Sequence, residues 1–421
     1  MQNRSAETAA LKLVAYCQKN NWAGYDPYDA LNSRAIQKLP FLDTRLTRLA
    51  ATQILKRSPI NLRPVMLIPR LQNPKAIGLF LSAFLKLSTI GTIRTEDLIH
   101  RMINRLIDLR SQDIAYWCWG YSFPWQARLQ KETVAKGAPN LVCTSFVANA
   151  LLDAYEQMQE PQCLNMAASA AEYILNELYW TRDDSPVAGF AYPVPEVRIN
   201  TYNANFLASA LLCRVYQHTR EEKFLGPALK AARYSAAQQQ ADGSWYYGEA
   251  PSQRWIDNFH TGYNLCALQA IGRYAGTTEF ESGVQRGVEF YRNHFFREDG
   301  AAKYFHNRSY PVDIHCVAQS IITLLAFKDL DPSNVELTRR VFEWAMNHMW
   351  DDRGFFYYRV FRLFTVRTSF MRWSQAWMLL AIATLLCEST ARANIDAGTA
   401  SAFAGMQPPQ QTHGQPACIA D

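Results

Sequence analysis

The chain lacks the marks of several large protein classes. No apolar run reaches the 18 or so residues of a bilayer-crossing helix; the longest, Trp377 to Cys387, is about a dozen long and carries a threonine. Charge is scarce, with only 19% Asp, Glu, Lys and Arg, and the excess of 43 basic over 37 acidic residues is not gathered into polybasic runs. Nothing there points to a nucleic-acid partner. Nine cysteines stand singly at 17, 118, 143, 163, 213, 266, 316, 387 and 418, with no Cys-x-x-Cys pair, which argues against a disulfide framework or a Cys-rich zinc site. Asp313, His315 and Cys316 lie close in sequence, yet no second cluster has zinc-like spacing, so no metal is expected. A phosphate-binding glycine loop, a nucleophile elbow and a dinucleotide fingerprint are also missing, and no cofactor is expected. Residues 1–10 are polar and hold no apolar signal core, so the expected location is cytoplasmic, without a transmembrane segment.

What the chain does have is apolar and aromatic material. It is 49% hydrophobic and 13% aromatic, enough for a substantial core, and global disorder is excluded. That material is arranged in a repeat. Turns rich in Gly and aromatics recur at Asp184 to Tyr192, Asp242 to Tyr247, Asp299 to Phe305 and Asp352 to Tyr358, with a looser version at Cys118 to Trp125. After each comes an apolar, Ala-studded segment. These segments start near Asn73, Asn140, Asn200, Asp257, Asp313 and Arg367, at steps of 67, 60, 57, 56 and 54 residues.

Asn and Asp are good helix N-caps, and Pro74 suits a first helical position, so each apolar segment reads as a helix buried all round. Six amphipathic segments alternate with them, at roughly 43–57, 95–110, 163–179, 221–240, 278–296 and 334–350. Six helical hairpins result. Closing them into a ring buries the first against the last, which predicts an all-α (α/α)6 toroid over 43–392. An open α-solenoid is the structural alternative. Residues 1–42 are expected as a helix and an aromatic, acidic segment packed on the toroid, and 393–421, where periodicity ends, as a disordered tail.

If the capped starts of the inner helices share one end, their unpaired N–H groups suit an anionic ligand at that mouth. Loop residues there give candidate chemistry. Asp257, His260, Asp313, His315, Tyr247 and Tyr310 are the candidate catalytic residues, because an acid-plus-His pair recurs in two adjacent hairpins and not in the other four. Tyr202, Trp245, Tyr246, Glu249, Arg254, His306, Arg308, Tyr358, Arg372 and Trp373 are the candidate substrate-binding residues, since flat rings among polar groups suit sugars and arginines suit carboxylates. Each set also has a structural role open to it: the Gly-aromatic turns as staples between hairpins, Asp257 and Asp313 as N-caps, the histidines as satisfied core residues.

Two resemblances follow from named residues. Gln240-Ala-Asp-Gly-Ser-Trp245 resembles the Gln–Trp repeat of squalene-hopene cyclases, which build α/α toroids, but their Asp-x-Asp-Asp protonation motif is absent. More of the chain is covered by Gly24 to Ser33, Asn61-Leu-Arg-Pro64, Asn73-Pro-Lys75 and Ile256 to Tyr263. Together these resemble a bacterial family of six-hairpin toroids associated with surface and exopolysaccharide biosynthesis, in the six-hairpin glycosidase-like superfamily. That resemblance implies a carbohydrate-linked role and an association with polysaccharide-synthesis machinery.

Three functions then stand open. The first is an enzyme acting on a polysaccharide or oligosaccharide, with an acidic one favoured by the arginines. As a hydrolase it would need facing carboxylates; as a lyase or uronyl C5-epimerase, a proton-transferring His or Tyr beside cations. The second is a non-catalytic glycan-binding or assembly protein. The third is a terpenoid-cyclase-like toroid, which the charges at the mouth oppose.

Overall fold

Helices form where the sequence sets Asn, Asp or Pro ahead of an apolar run. The computed structural model describes residues 2–38, 44–127, 132–183 and 185–404. Its helices are α1 (Gln2–Lys19), α2 (Arg34–Gln37), α3 (Arg45–Arg57), α4 (Pro74–Ile90), α5 (Glu96–Asp108), α6 (Leu141–Met158), α7 (Pro161–Tyr173), α8 (Tyr202–Thr219), α9 (Leu225–Ala236), α10 (Asn258–Ala275), α11 (Glu281–His294), α12 (Ile314–Ala326), α13 (Ser333–Met349) and α14 (Trp377–Ala404). Helices α4, α6, α8, α10, α12 and α14 each pack on the next, and α14 closes on α4. Around this inner ring stand α5, α7, α9, α11 and α13, each against its inner partner. The molecule is an (α/α)6 toroid, with the core between and within the two rings.

The sixth outer helix comes from an unexpected place. Segment 43–57 was expected in the outer ring, but α1 packs on α14 there and stacks Tyr16 on Phe355. Composition explains the choice. Helix α1 buries a continuous stripe of Ala6, Ala9, Ala10, Leu13, Val14 and Cys17. Helix α3 buries only Thr52, Leu55 and Lys56 and leaves Leu46 and Ile54 exposed. It lies instead against the short turn Asp29–Asn32 and the strand Trp125–Gln126. The N-terminal helix is therefore a member of the ring rather than an addition to it.

The recurring turns act as staples. Gly243, Gly300 and Gly354 adopt φ of 90°, 92° and 91°, and a Cβ on them would meet the backbone oxygens of Arg286, Arg340 and Lys12 at 2.4, 2.8 and 2.7 Å. Each turn so presses on the next outer helix, α11, α13 and α1 in order, and only glycine fits. Trp245 and Phe355 are buried behind these turns, the Trp245 indole donating to the Ser235 carbonyl at 3.1 Å.

Four of the expected caps form. The side chains of Asn73, Asn140, Asp257 and Asp313 accept from the backbone N–H of Lys75, Cys143, His260 and His315 at 2.9–3.1 Å. Helix α8 begins after Thr201 without a side-chain cap; Asn200 bonds Asn205 and Glu249 instead. Helix α14 is preceded by a π-turn, Met371–Ala376. Backbone bridges tie inner-helix starts to the following loop: Thr201 to Gly248, Asp257 to Phe305, and Val312–Asp313 to Arg359–Val360. The inner N-termini thus share one rim.

At the other terminus α14 runs to Ala404, past residue 393 where an irregular tail was expected to begin, and 405–421 lie outside the described residues. Among the described residues no helix is long and apolar enough to cross a membrane.

Candidate active site

The sequence Trp255-Ile-Asp-Asn-Phe-His260 makes a dyad by its helical spacing. Asp257 caps α10, and His260, three residues on, lies above it on the first turn. One carboxylate oxygen accepts the His260 backbone N–H at 3.0 Å. The other lies 2.8 Å from His260 Nδ1 and accepts the Trp255 indole N–H at 2.9 Å. Asp257 is 2% exposed, whereas His260 remains partly open. The carboxylate orients the ring through Nδ1 and leaves Nε2 without a hydrogen-bond partner among the described residues. Tyr247 stacks on Trp255 at 4.4 Å between centroids and meets the His260 ring edge-on at 4.6 Å.

Phe259 carries the site toward the next hairpin, with its ring 4.0 Å from that of His260 and 4.6 Å from that of His315. His315 Nε2 pairs with the Tyr263 hydroxyl at 2.5 Å. Burial, with the charges of Lys75 and Arg372, holds its imidazole well below the usual histidine range. Asp313 is fully buried and fully engaged: it caps α12, binds the Arg359 guanidinium through Nε at 2.8 Å and through Nη2, and accepts the Trp373 indole N–H at 2.9 Å. The Trp373 ring lies 5.6 Å from Phe259 and 4.5 Å from His315.

The N-terminal segment covers this mouth. Asp26 takes the Arg372 guanidinium in two bonds of 2.7 and 2.8 Å, and Asp29 takes Arg63 at 2.7 Å. Tyr28 then sits edge-on to Trp373 at 5.5 Å, with the buried Lys56 of α3 bonded to its hydroxyl at 2.6 Å. Burial pushes the Tyr28 phenol up to about 12 and holds the Lys56 ammonium well below its ordinary value. Beneath, Lys75 lies 3.9 Å from the Phe146 ring and within 5.6 Å of Tyr263 and Trp377. Tyr304 sits edge-on to Phe259 at 5.9 Å and Tyr192 lies 6.5 Å from Trp125; both are half-buried, and burial raises both phenols.

The structure therefore brings together Asp257, His260, Tyr247, Asp313, His315 and Trp373. Tyr310 is not with them: it lies beside Arg297, whose guanidinium is 5.1 Å from its ring. Trp245 is a staple inside a hairpin. Tyr358 is buried under Phe370 and Arg359. Tyr202 and Glu249 gather at the start of α8, where burial pushes the Tyr202 phenol up to about 12. Arg254 and Arg308 are exposed, Tyr246 is half-buried, and His306 faces the Ile256 carbonyl at 3.4 Å. Arg372, expected to neutralise a ligand carboxylate, is already neutralised by Asp26. Sequence reasoning missed Lys56 and Trp377 as site residues, and it met Asp26, Tyr28, Lys75 and Tyr263 only within quoted motifs. No group of three His, Cys, Asp or Glu among the described residues is placed to hold a metal.

The ring of six inner helices with a polar mouth at its capped end defines a six-hairpin (α/α)6 toroid protein. A cellobiose 2-epimerase from Bacillus thermoamylovorans B4167 has this fold at TM-score 0.57 and 12% identity, covering 76% of this chain and 88% of its own. A GH76 alpha-mannanase from Bacteroides thetaiotaomicron matches at TM-score 0.56 and 12% identity over 78% and 90%. An unsaturated glucuronyl hydrolase described with dGlcA-Glc-Rha-Glc matches at TM-score 0.60 and 13% identity over 91% and 96%. No family model matches this chain, and no curated protein matches its sequence.

Proposed function

We propose that this chain is a carbohydrate-processing enzyme in which His260, oriented by Asp257, moves a proton at a sugar carbon beside a carbonyl or carboxyl group. The observation that carries this reading is the dyad. A buried carboxylate on Nδ1 fixes the ring tautomer and leaves Nε2 free to accept the proton, the arrangement a general base requires. As the C–H bond breaks, its electron pair passes to the neighbouring carbonyl oxygen, and a phenol such as Tyr28, whose hydroxyl accepts from Lys56 and keeps its own proton to donate, stabilises that charge. A solvent-derived proton delivered to the other face, with His260 keeping the one it abstracted, gives an epimer; loss of a β-substituent, which takes up a proton as it leaves, gives an unsaturated sugar. The partly exposed Tyr247 and Trp255 rings supply flat faces for sugar rings, with Phe259 and Trp373 buried behind them.

Hydrolysis by a carboxylate pair is disfavoured, since Asp313 is bound on both oxygens by Arg359, Trp373 and its helix, and Asp257 by His260 and Trp255. The carbohydrate-acting proteins that share the fold support the substrate class. The resemblance carried by Gly24 to Ser33 and Ile256 to Tyr263 supports a place in surface-polysaccharide metabolism. The test is product analysis of a panel of neutral and uronate oligosaccharides incubated with wild-type protein and with His260→Ala. Turnover that vanishes in the variant is expected. Glycan binding that persists in both proteins without any product would make it an assembly protein instead.

A further inference from the structure

Beside the mouth, between the N-terminal segment and α5, runs a groove of about 650 Å³. Trp22 and Tyr121 form its buried floor, while Arg70, Arg101, Arg105 and Lys136 stand around it. Its lining includes no Asp or Glu. Arg101 and Arg105 are one turn apart on α5 and face the same space. Among the described residues only Arg105 has a carboxylate partner, the exposed Asp108 at 2.9 Å. Arg70 bonds the Asn20 amide oxygen at 3.1 Å. Like charges gathered at one concavity repel, and one exposed carboxylate offsets only part of that repulsion. A ligand bearing negative charge resolves it.

We infer that this groove is an anion-recognising subsite for the carboxylate-bearing units of an acidic glycan, apart from the dyad. Guanidinium forks bind carboxylates in bidentate fashion, and the volume falls within the range of about 300–1,000 Å³ typical of ligand sites. The groove joins the mouth through Tyr121, over whose ring the Arg372 guanidinium lies at 4.9 Å, and through Ser122, which bonds the α4 cap Asn73 at 3.2 Å. A single-stranded nucleic acid fits less well, because bases need open ring faces and Trp22 is 1% exposed. The inference rests on the proposed carbohydrate reading only for the choice of a glycan as ligand.

The test is calorimetric titration of the full-length chain with three probes: a hexamer of galacturonic acid, its carboxyl-reduced neutral counterpart, and a single-stranded DNA of equal charge. The uronate is expected to bind at least about tenfold more tightly than either of the others. The triple substitution Arg70→Gln, Arg101→Gln and Lys136→Gln, all at exposed sites, is expected to lose at least about tenfold of that affinity with a melting temperature within about 2 °C of wild type. Equal binding of the neutral hexamer, or full uronate affinity in the triple variant, overturns the inference. Tighter binding of the DNA overturns it in favour of a nucleic-acid site. The readout is binding, so a failure of turnover at His260 leaves it standing, and a failure here leaves the dyad standing.

Discussion

Replacing Asp257 separates its catalytic work from its structural work. The carboxylate accepts three hydrogen bonds, from the His260 backbone N–H at 3.0 Å, the His260 ring at 2.8 Å and the Trp255 indole at 2.9 Å. Asp257→Ala loses the helix cap, about 1 kcal/mol, and orphans two donors. Hydrogen bonds to charged groups contribute about 1.5–3 kcal/mol each, and the lower end applies where His260 and Trp255 can turn to water. The expected destabilisation is about 4 kcal/mol. Asp257→Asn behaves differently. Asparagine is an equally good cap, so the stability loss stays near 1 kcal/mol. Its amide, however, presents N–H to Nδ1 and forces the ring proton onto Nε2, the nitrogen that must accept the substrate proton. Turnover is expected to fall on the order of 10²- to 10⁴-fold. Urea unfolding followed by circular dichroism, alongside initial rates, reads both quantities. An Asn variant with wild-type turnover, or one as unstable as the Ala variant, would refute the reasoning.

Other perturbations have equally definite outcomes. Arg359→Met leaves the buried Asp313 carboxylate uncompensated and is expected to cost about 3–5 kcal/mol in chemical denaturation, most of it recovered by adding Asp313→Asn. Asp26→Asn removes one of the two bonds to Arg372 and the charge behind both, so amide hydrogen exchange should quicken in Asp29–Asn32 and α3 while α8 and α9 keep their protection. Unchanged exchange at the mouth would contradict the latch. Lys75 is held well below its ordinary 10.5, first by burial and then by Arg372, so the unfolded chain binds more protons between the folded pKa and 10.5. Stability therefore rises with pH across that window. Lys75→Met should be more stable than wild type at neutral pH, with a gap that narrows as pH approaches 10.5; a widening gap in thermal melts would show the sign to be wrong.

Periodicity made the ring legible. Caps at Asn73, Asn140, Asp257 and Asp313 and glycines at 243, 300 and 354 are local consequences of one hairpin repeated, so spacing alone exposes them. The dyad was legible too, because Asp257 and His260 are one helical turn apart. The pairing of the arginines was not. Within 353–372 the five arginines, the lack of any acid and the interleaved aromatics resemble a ligand clamp, but the partners of Arg359 and Arg372 arrive from positions 313 and 26. No period links residues 346 apart. The exchange of roles between α1 and α3 was hidden for a related reason: both are amphipathic, and only the place left open beside α14 selects the alanine-rich stripe. The quoted motifs prove to be parts of one assembly, since Asp26 and Asp29, Arg63, Lys75 and the Asp257–His260 pair all meet at the mouth.

The central claim is that His260 exchanges a proton with a sugar carbon. Incubating the wild-type protein with an accepted oligosaccharide in deuterium oxide, and following that carbon by NMR, tests it most directly. Loss of that carbon's hydrogen, to deuterium in an epimer or to a double bond in an eliminated sugar, in wild type and not in His260→Ala is the predicted result. A product that keeps the original hydrogen on that carbon, or the same loss in the variant, would contradict the account.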